Sequence, residues 1–156
     1  MSFYQVMINL IRTDSANPDF INLVKLLDAD LAGRDGDDHP FYAQYNKIDM
    51  IKHAVVVYDE GKPAACGAIK EYERGVMEVK RMYTLPEKRG RGIATKVLAE
   101  LEKWAGELSY KKCILETGKK QPEAIAVYKK NGYKISPNYG QYAEVDNSVC
   151  FEKIIT

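Results

Sequence analysis

A glycine-containing turn between a strand pattern and a helix pattern is the feature that most constrains this chain. It follows the strand-like segment Glu78 to Tyr83 and reads Arg89-Gly90-Arg91-Gly92-Ile93-Ala94-Thr95. Glycine can adopt positive φ and lets the backbone approach a ligand closely. The first four N–H groups of the following helix have no intrahelical partner, and the helix dipole adds about +0.5 charge there. The pattern therefore predicts an anion site, of the kind that holds a pyrophosphate, built mainly from main-chain N–H groups.

Two other phosphate-binding turns use glycines at similar spacing. A dinucleotide fingerprint needs a third glycine and a βαβ unit, but Thr95 stands at the third position and the preceding strand belongs to an antiparallel meander. A nucleoside triphosphate loop needs Gly-Lys-Ser/Thr, whereas this chain has Gly92-Ile93-Ala94. A purely structural turn before a helix stays open at this point, although such a turn does not require arginine on both sides of Gly90.

The first half of the chain predicts one strand, a helix and a three-stranded meander. A strand is predicted over residues 5–12, and Asn17-Pro18 predicts the start of a helix with apolar residues at helical spacing. Gly33 to Pro40 is predicted as a polar loop, and Phe41 to Ile51 as containing a short helix. Three further strands are joined by tight glycine-containing turns and cover His53–Tyr58, Pro63–Tyr72 and Val76–Tyr83.

The second half predicts two helices and three short strands. Apolar residues from Ile93 to Leu108 recur at i, i+3, i+4 and i+7, and a second helix starts at Pro122 and ends at Asn131-Gly132. The strands are Lys112–Glu116, which Thr117-Gly118 breaks, Tyr133–Ile135 and Ser148–Ile154. Residues 1–156 are therefore predicted to form a single α/β (α+β) domain, with one mixed, mostly antiparallel central sheet flanked by helices.

Composition indicates a soluble globular protein, with 46% apolar and 29% charged residues. Its 23 lysines and arginines nearly balance 22 aspartates and glutamates, which argues against nucleic acid as a partner. The N-terminus lacks a signal-peptide pattern and no apolar run reaches about 18 residues, so we expect a cytoplasmic protein with no membrane partner. Cys66, Cys113 and Cys150 are far apart in strand-like contexts, which predicts buried reduced thiols and no metal site.

Two motifs in the second half of the chain point to one family. The pattern Arg/Gln-x-x-Gly-x-Gly/Ala is met by Arg89, Gly92 and Ala94. Residues 53–154, which contain both motifs, resemble the GNAT superfamily of acetyl-CoA-dependent N-acetyltransferases. The second family pattern, Asn-x-x-Ala-x-x-x-Tyr-x-x-x-Gly-Phe/Tyr, is met from Ala124 onward by Ala124, Tyr128, Gly132 and Tyr133. Gln121 stands in place of the family's first Asn, and an amide is kept there.

The resemblance implies a GNAT-like acyl-CoA N-acyltransferase fold with acetyl-CoA as co-substrate. In that family a bulge splays one strand from the next and opens a V-shaped cleft. The resemblance implies that the pantetheine arm and acetyl group lie along the backbone of Met82, Tyr83 and Thr84. The pyrophosphate would be held by the turn and the helix start, and the amide residue would contact the coenzyme; this set comprises Arg89, Gly90, Arg91, Gly92, Ile93, Ala94, Thr95, Gln121 and Tyr128.

Two side chains are expected to carry the chemistry by the same resemblance. Glu116 ends a strand that would face the cleft, where relatives place an acidic general base; a capping carboxylate or a lysine partner is the alternative. Tyr128 would protonate the departing thiolate, although an aromatic residue on the apolar side of a helix is otherwise core. A backbone N–H of Tyr83 or Met82 would stabilise the oxyanion. A cysteine nucleophile would need a nearby base, so we expect direct attack by the amine.

The acceptor is expected to be a primary amine of a small molecule or peptide. Acidic residues in the Gly33 to Pro40 loop would suit a cationic amine, and the aromatic loop Tyr139 to Tyr142 would wall the acceptor side. A homodimer is consistent with the resemblance. The alternative function is a non-catalytic module that binds acetyl-CoA or CoA without turnover.

Overall fold

The computed structural model describes residues 7–35 and 51–155. Within them, strands and helices follow one another in the order β-α-β-β-β-α-β-α-β-β, as the sequence predicts. The strands are β1 (Ile8–Thr13), β2 (His53–Asp59), β3 (Lys62–Glu73), β4 (Val76–Thr84), β5 (Lys112–Gly118), β6 (Lys134–Ser136) and β7 (Ser148–Ile154). The α-helices are α1 (Pro18–Asp35), α2 (Ile93–Glu107) and α3 (Pro122–Lys130), and short 3₁₀ turns cover Pro86–Lys88 and Gly140–Tyr142.

All seven strands form one sheet in the order β1-β2-β3-β4-β5-β7-β6. The neighbours β4 and β5 run parallel, and the other neighbouring pairs are antiparallel. The predicted mixed, mostly antiparallel sheet is therefore confirmed. In the part of the chain that the structure describes, each helix is too short or too polar to cross a membrane.

Helices cover both faces of this sheet, which explains the continuous apolar run of β2. Val55 and Val57 point to the face covered by α2, whereas Ala54 and Val56 point to the face covered by α1. Successive strand side chains alternate between faces, so a strand buried on both faces needs apolar residues at every position. On the α2 side the buried helix residues are Ile93, Val97, Leu98, Leu101 and Ala105.

Two predicted breaks are wrong. Gly33 and Arg34 belong to α1 rather than to a loop, because Arg34 pairs with Asp30 one turn earlier and with Glu123 of α3. Asp35 also belongs to α1, and residues 36–40 of the predicted loop and 41–50 of the predicted short helix lie outside the described residues. Thr117-Gly118 does not interrupt β5, because β7 pairs with both residues.

The register between β3 and β4 shifts at one place, and this shift bends β4. Cys66 pairs with Tyr83 and Ala68 pairs with Lys80, so two residues of β4 stand opposite Gly67 alone. Such an extra residue is a β-bulge, which increases the bend and twist of its strand. The first bulge residue, Arg81, has a φ of 60°, a conformation that non-glycine residues adopt uncommonly.

β4 and β5 pair over a short stretch and then separate. Val76–Glu78 pairs with Lys112–Ile114, yet β4 continues to Thr84 and β5 to Gly118. The last residues of both strands therefore border a gap in the middle of the sheet. This parting agrees with the V-shaped cleft that the resemblance implies.

Gly67 is predicted to be required for the close contact between the bulge and α2. A Cβ at this position would lie 2.6 Å from Met82 Sδ and 2.6 Å from Val97 Cγ1. We expect Gly67→Ala to lower the free energy of unfolding by about 1–3 kcal/mol, as overpacking does, measured by denaturant titration. Gly106→Ala is the control, because a Cβ there meets no atom within 4 Å; it should be neutral or stabilising by up to about 1 kcal/mol. Equal stability of both variants would contradict the prediction.

Candidate functional site

The gap between β4 and β5 opens into a cavity of about 330 Å³, called here the larger cavity. Its wall combines the end of β4, the glycine turn, the start of α2 and one face of α3. The predicted site residues in this wall are Met82, Tyr83, Thr84, Arg89, Gly90, Gly92, Ile93, Ala94, Thr95, Gln121 and Tyr128. The structure therefore brings both sequence motifs to one cavity.

The glycine turn has the backbone conformation that the sequence predicts. Gly90 and Gly92 have φ values of 79° and 77°, and a Cβ on either would meet no atom within 4 Å. The first hydrogen bond of α2 runs from Lys96 N–H to the Gly92 carbonyl at 3.2 Å. Helix geometry therefore leaves the N–H groups of Ile93 and Ala94 free of helical acceptors. The turn offers an open concave surface of N–H donors at the positive end of a helix dipole.

The arginines on either side of Gly90 do not point the same way. Arg89 Nε donates to the Thr84 carbonyl at 2.9 Å, and its guanidinium lies 5.7 Å from the centre of the Tyr83 ring. The Arg91 guanidinium lies 3.7 Å from Asp59 and does not line the larger cavity. Arg91 can therefore contribute its backbone to the turn, whereas Arg89 is held at the cavity itself.

The bulge turns the N–H of Met82 toward the gap. Cys66 Sγ donates to the Arg81 carbonyl at 3.3 Å, so that carbonyl points toward β3. The peptide bonds of the described residues are trans, and in a trans peptide the N–H points opposite to the preceding carbonyl. The Met82 N–H consequently points away from β3 and toward the separated β5. The Tyr83 N–H lies beside the Cys66 sulfur, so Met82 is the better placed of the two predicted oxyanion donors.

At Thr84 and Leu85, as at Met82 and Tyr83, successive backbone groups point alternately to the gap and to β3. Leu85 N–H donates to the Ala64 carbonyl of β3 at 2.9 Å, whereas the Thr84 carbonyl accepts from Arg89. Backbone groups of successive strand residues point to opposite sides, so Thr84 and Met82 present theirs to the gap. An extended ligand lying in the gap would meet these groups as a neighbouring strand does.

A second cavity of about 90 Å³, called here the smaller cavity, adjoins the first. The two share Leu27, Met82, Gln121 and Tyr128 in their walls. The remaining wall of the smaller cavity contains Leu31, Glu78, Val79, Lys80, Arg81, Glu116, Thr117 and Tyr142. Glu116 and Tyr128 thus share the wall of the smaller cavity, whereas the glycine turn lines only the larger cavity.

Tyr128 lies at the junction of the two cavities. The residue is buried, with the rings of Tyr133 and Phe151 each centred 6.0 Å away. Burial raises the pKa of its phenol well above the usual value, and the negative charge of Glu116 raises it further. The Tyr128 hydroxyl is therefore protonated at neutral pH and is available to donate a proton.

Glu116 is held by a neighbouring strand. Ser148 Oγ donates to its carboxylate at 2.6 Å, and Ser148 itself is buried at the start of β7. This contact orients one carboxylate oxygen, and the side chain remains part of the cavity wall. Burial lowers the pKa of the Lys80 ammonium, and the negative charge of Glu116 opposes this shift, so the alternative of a lysine partner stays open.

Sequence reasoning missed three charged residues of the smaller cavity, all on β4. Glu78 accepts a hydrogen bond from Tyr139 at 2.6 Å and lies 3.7 Å from the Lys80 ammonium. Arg81 follows directly and is buried. The signal in the sequence was the spacing of Glu78 and Lys80 two residues apart in β4, which puts both on one face of the strand and indicates that this face lines a polar cavity. Of the aromatic loop Tyr139 to Tyr142, which is predicted to wall the acceptor side, Tyr142 lines this cavity.

The cysteines are buried reduced thiols, as predicted. Burial raises the pKa of Cys66 and of Cys113 to about 12, and that of Cys150 to about 11. Thiolate is the nucleophilic form, so these side chains are poor nucleophiles. Among the described residues, no group of three or more His, Cys, Asp or Glu side chains is arranged to hold a metal ion.

Relatives of known sequence match part of this chain. A 35% identical relative, the IAA acetyltransferase of Azospirillum brasilense, matches over 100 residues, which are 64% of this chain and 65% of its own length. Other sequence relatives match over 49% to 61% of their lengths. The chain thus spans from about half to just under two-thirds of the sequence relatives it matches.

Solved structures match over nearly the whole chain. A candidate acyl-CoA N-acyltransferase from Klebsiella pneumoniae is 29% identical, with a TM-score of 0.81 over 96% of this chain and 99% of its own. The PaiA N-acetyltransferase of Thermoplasma acidophilum, solved in complex with coenzyme A, is 16% identical, with a TM-score of 0.70 over 99% of both chains. The second likeness shows the fold alone. The model of the acetyltransferase (GNAT) family matches residues 20–133, and we conclude that this chain belongs to that family.

Proposed function

We propose that this chain transfers the acetyl group of acetyl-CoA to a primary amine by direct attack. The observation that carries the proposal is the gap between β4 and β5, which leads from the glycine turn to Tyr128 and Glu116. In the reaction the amine nitrogen bonds to the acetyl carbon and the thioester C–S bond breaks. An ammonium acceptor first gives one proton to a base; the nitrogen then loses a second proton to solvent or a base as the amide forms, and the departing thiolate gains one.

The larger cavity fits an acyl-CoA in shape and in chemistry. Its glycine turn presents backbone N–H groups to an anion, with Arg89 beside them. Met82 and Thr84 offer backbone groups to the amides of an extended pantetheine arm. The match to the acetyltransferase (GNAT) family model supports this assignment. The roles of Gln121 and of residues 89–95 in coenzyme binding are part of the proposal.

Glu116 is proposed as the group that takes the proton from the amine. An amine with a pKa of about 10.4 loses its proton at pH 7 at a cost of about 4.6 kcal/mol, so a positioned base accelerates the step. The Ser148 hydrogen bond fixes the orientation of the carboxylate. Its place in the smaller cavity allows an amine there to reach both Glu116 and the gap.

Tyr128 is proposed as the general acid toward the coenzyme sulfur, and the Met82 N–H as the oxyanion donor. The raised pKa of Tyr128 keeps its proton in place at neutral pH, which a general acid requires. The Met82 N–H is a preorganised dipole at the gap, and such dipoles stabilise charge that develops in a transition state. Both groups belong to the wall that the two cavities share.

A non-catalytic module that binds acetyl-CoA is the second candidate function. The same cleft would serve it, and the difference lies in whether Glu116 and Tyr128 act on an amine. We also keep a cytoplasmic location and a homodimer as proposals. Three buried reduced thiols support the former, and the exposed Ile135 on the edge strand β6, 62% accessible, supports the latter.

Replacement of Gly92 by Asp is predicted to abolish tight coenzyme binding. The carboxylate would stand where the turn is proposed to receive a pyrophosphate, and we expect the acetyl-CoA affinity to fall at least about tenfold by calorimetry. Gly61→Asp is the matched control, because Gly61 has a φ of 80° and equally open space in the β2–β3 turn. Both variants should lose about 1–2 kcal/mol of stability from the left-handed backbone. Equal affinities in the two variants would contradict the assignment of the turn.

Tyr128→Phe is predicted to lower turnover about 10²- to 10⁴-fold while acetyl-CoA affinity is kept. The measurement is thiol release over a panel of amino acids, polyamines, aminoglycosides and peptides, with IAA added because of the Azospirillum relative's name. Tyr133→Phe is the control, since the Tyr133 hydroxyl donates to Glu102 rather than lining either cavity. Full activity of Tyr128→Phe would show that Tyr128 is not the general acid. Absence of thiol release by the native protein with every compound of the panel, together with tight acetyl-CoA binding, would favour the non-catalytic module.

Treatment with iodoacetamide is predicted to leave the native enzyme active and its three cysteines unmodified, because these thiols are buried and the proposed reaction does not use them. A thiol with a pKa of 11 or more is below about 0.1% thiolate at pH 8, and the three cysteines are in this range. Iodoacetamide at pH 8 should add no mass to the native protein and three adducts after denaturation. Loss of activity with one adduct, prevented by acetyl-CoA, would instead favour an acyl-enzyme route.

A further inference from the structure

Arg81 belongs to the wall of the smaller cavity, and its guanidinium lies inside the protein. Its side chain is 1% exposed, and its Nη1 lies 3.5 Å from Asp28 Oδ1. Nε and Nη2 are buried, and no atom of the described residues accepts a hydrogen bond from either. Buried polar groups in native proteins are nearly always hydrogen-bonded, so these two donors call for an acceptor that the described protein atoms do not provide.

The geometry of these two donors defines the missing acceptor. Nε and Nη2 lie on one edge of the planar guanidinium, and their N–H bonds are parallel. This edge matches the two oxygens of a carboxylate in a bidentate pair. Asp28 faces the other end of the group and has a side chain that is 47% exposed. The ion pair with Asp28 therefore leaves the carboxylate-binding edge of Arg81 available.

The charges around Arg81 fit an acceptor that carries both signs. Glu78 is offset by the hydrogen bond from Tyr139 and by the Lys80 ammonium at 3.7 Å. Glu116, held by Ser148, lies on the β5 wall of the same cavity. A small cavity with an arginine edge on one strand and a carboxylate on the other is complementary to a zwitterion.

We propose that the acetyl acceptor is an amine that also carries a carboxylate, of the amino acid class, and that Arg81 binds this carboxylate. The inference rests on the proposed function, in which Glu116 receives the amine proton. Arg81 precedes Met82 in the bulge, so one backbone distortion places the carboxylate-binding edge next to the proposed oxyanion donor. A bound carboxylate at Arg81 would thereby fix the distance between the amine and the acetyl group.

The test compares amines that differ only in the carboxylate. Leucine, leucinamide and 3-methylbutylamine form one set, and phenylalanine, phenylalaninamide and phenethylamine form another. In thiol-release assays we expect kcat/KM for the carboxylate member of at least one set to exceed that of its partners by at least about 100-fold, because sites built to bind a polar group reject analogues that lack it. Arg81→Gln should reduce this ratio to near one while acetyl-CoA affinity stays unchanged.

Two controls separate carboxylate binding from a structural role of Arg81. Asp28→Asn removes the charge of the ion-pair partner and should keep the ratio. Arg12→Gln removes a surface arginine that pairs with Glu100 and Glu107 and should also keep it. If Arg81→Gln does not fold, calorimetry on the native protein loaded with CoA decides, with N-acetyl-leucine expected to bind at least about tenfold tighter than N-acetyl-leucinamide.

The outcomes distinguish this inference from the proposed function. Acetylation of amides and plain amines as efficiently as of amino acids would overturn the inference and leave the proposed function standing. A carboxylate preference that survives in Arg81→Gln would also overturn it. Absence of turnover with every amine would contradict the proposed function, and carboxylate binding would then be judged by the calorimetry alone, where equal affinity for acid and amide overturns the inference.

Discussion

Beyond Glu78 and Ile114, β4 and β5 stop pairing, and the backbone groups of β4 face a gap instead of a neighbouring strand. The bulge opposite Gly67 produces this change of direction. There the Arg81 carbonyl is taken by the Cys66 thiol on β3, which turns the Met82 N–H to the gap. Backbone donors inside a protein need partners, so a sheet that opens in its middle requires either solvent or a ligand at that place. The larger cavity is the space in which a ligand can supply them.

The two cavities differ in how they present charge. At the larger cavity, N–H groups of the glycine turn and the start of α2 supply a positive potential from the main chain. At the smaller cavity, side chains carry the charges: Glu78 and Lys80 on β4, Glu116 on β5, and Arg81 in the bulge. Tyr128 stands between the two with a raised pKa. This division suits the proposed reaction, in which an anionic coenzyme in the larger cavity and a charged acceptor in the smaller cavity meet at one carbonyl.

Most elements could be predicted from the sequence because their causes are local. The periodicity of α2, the β2–β3 hairpin turn at Glu60-Gly61 and the left-handed Gly132 after α3 each depend on residues within a few positions. The errors have non-local causes. α1 continues through Gly33 because Arg34 has a partner on α3. Likewise β5 continues through Thr117 because β7 supplies its hydrogen bonds.

The sequence by itself determined the order of elements, the anion-binding turn and the family motifs, because periodicity, glycine conformation and helix starts are properties of short segments. Only the tertiary structure decided which residues meet at the gap. The left-handed conformation of Arg81 and its burial beside Asp28 could not be predicted from neighbouring residues. They arise because the bulge opposite Gly67 sets the backbone of Arg81, and because Asp28 of α1, distant in sequence, pairs with its guanidinium.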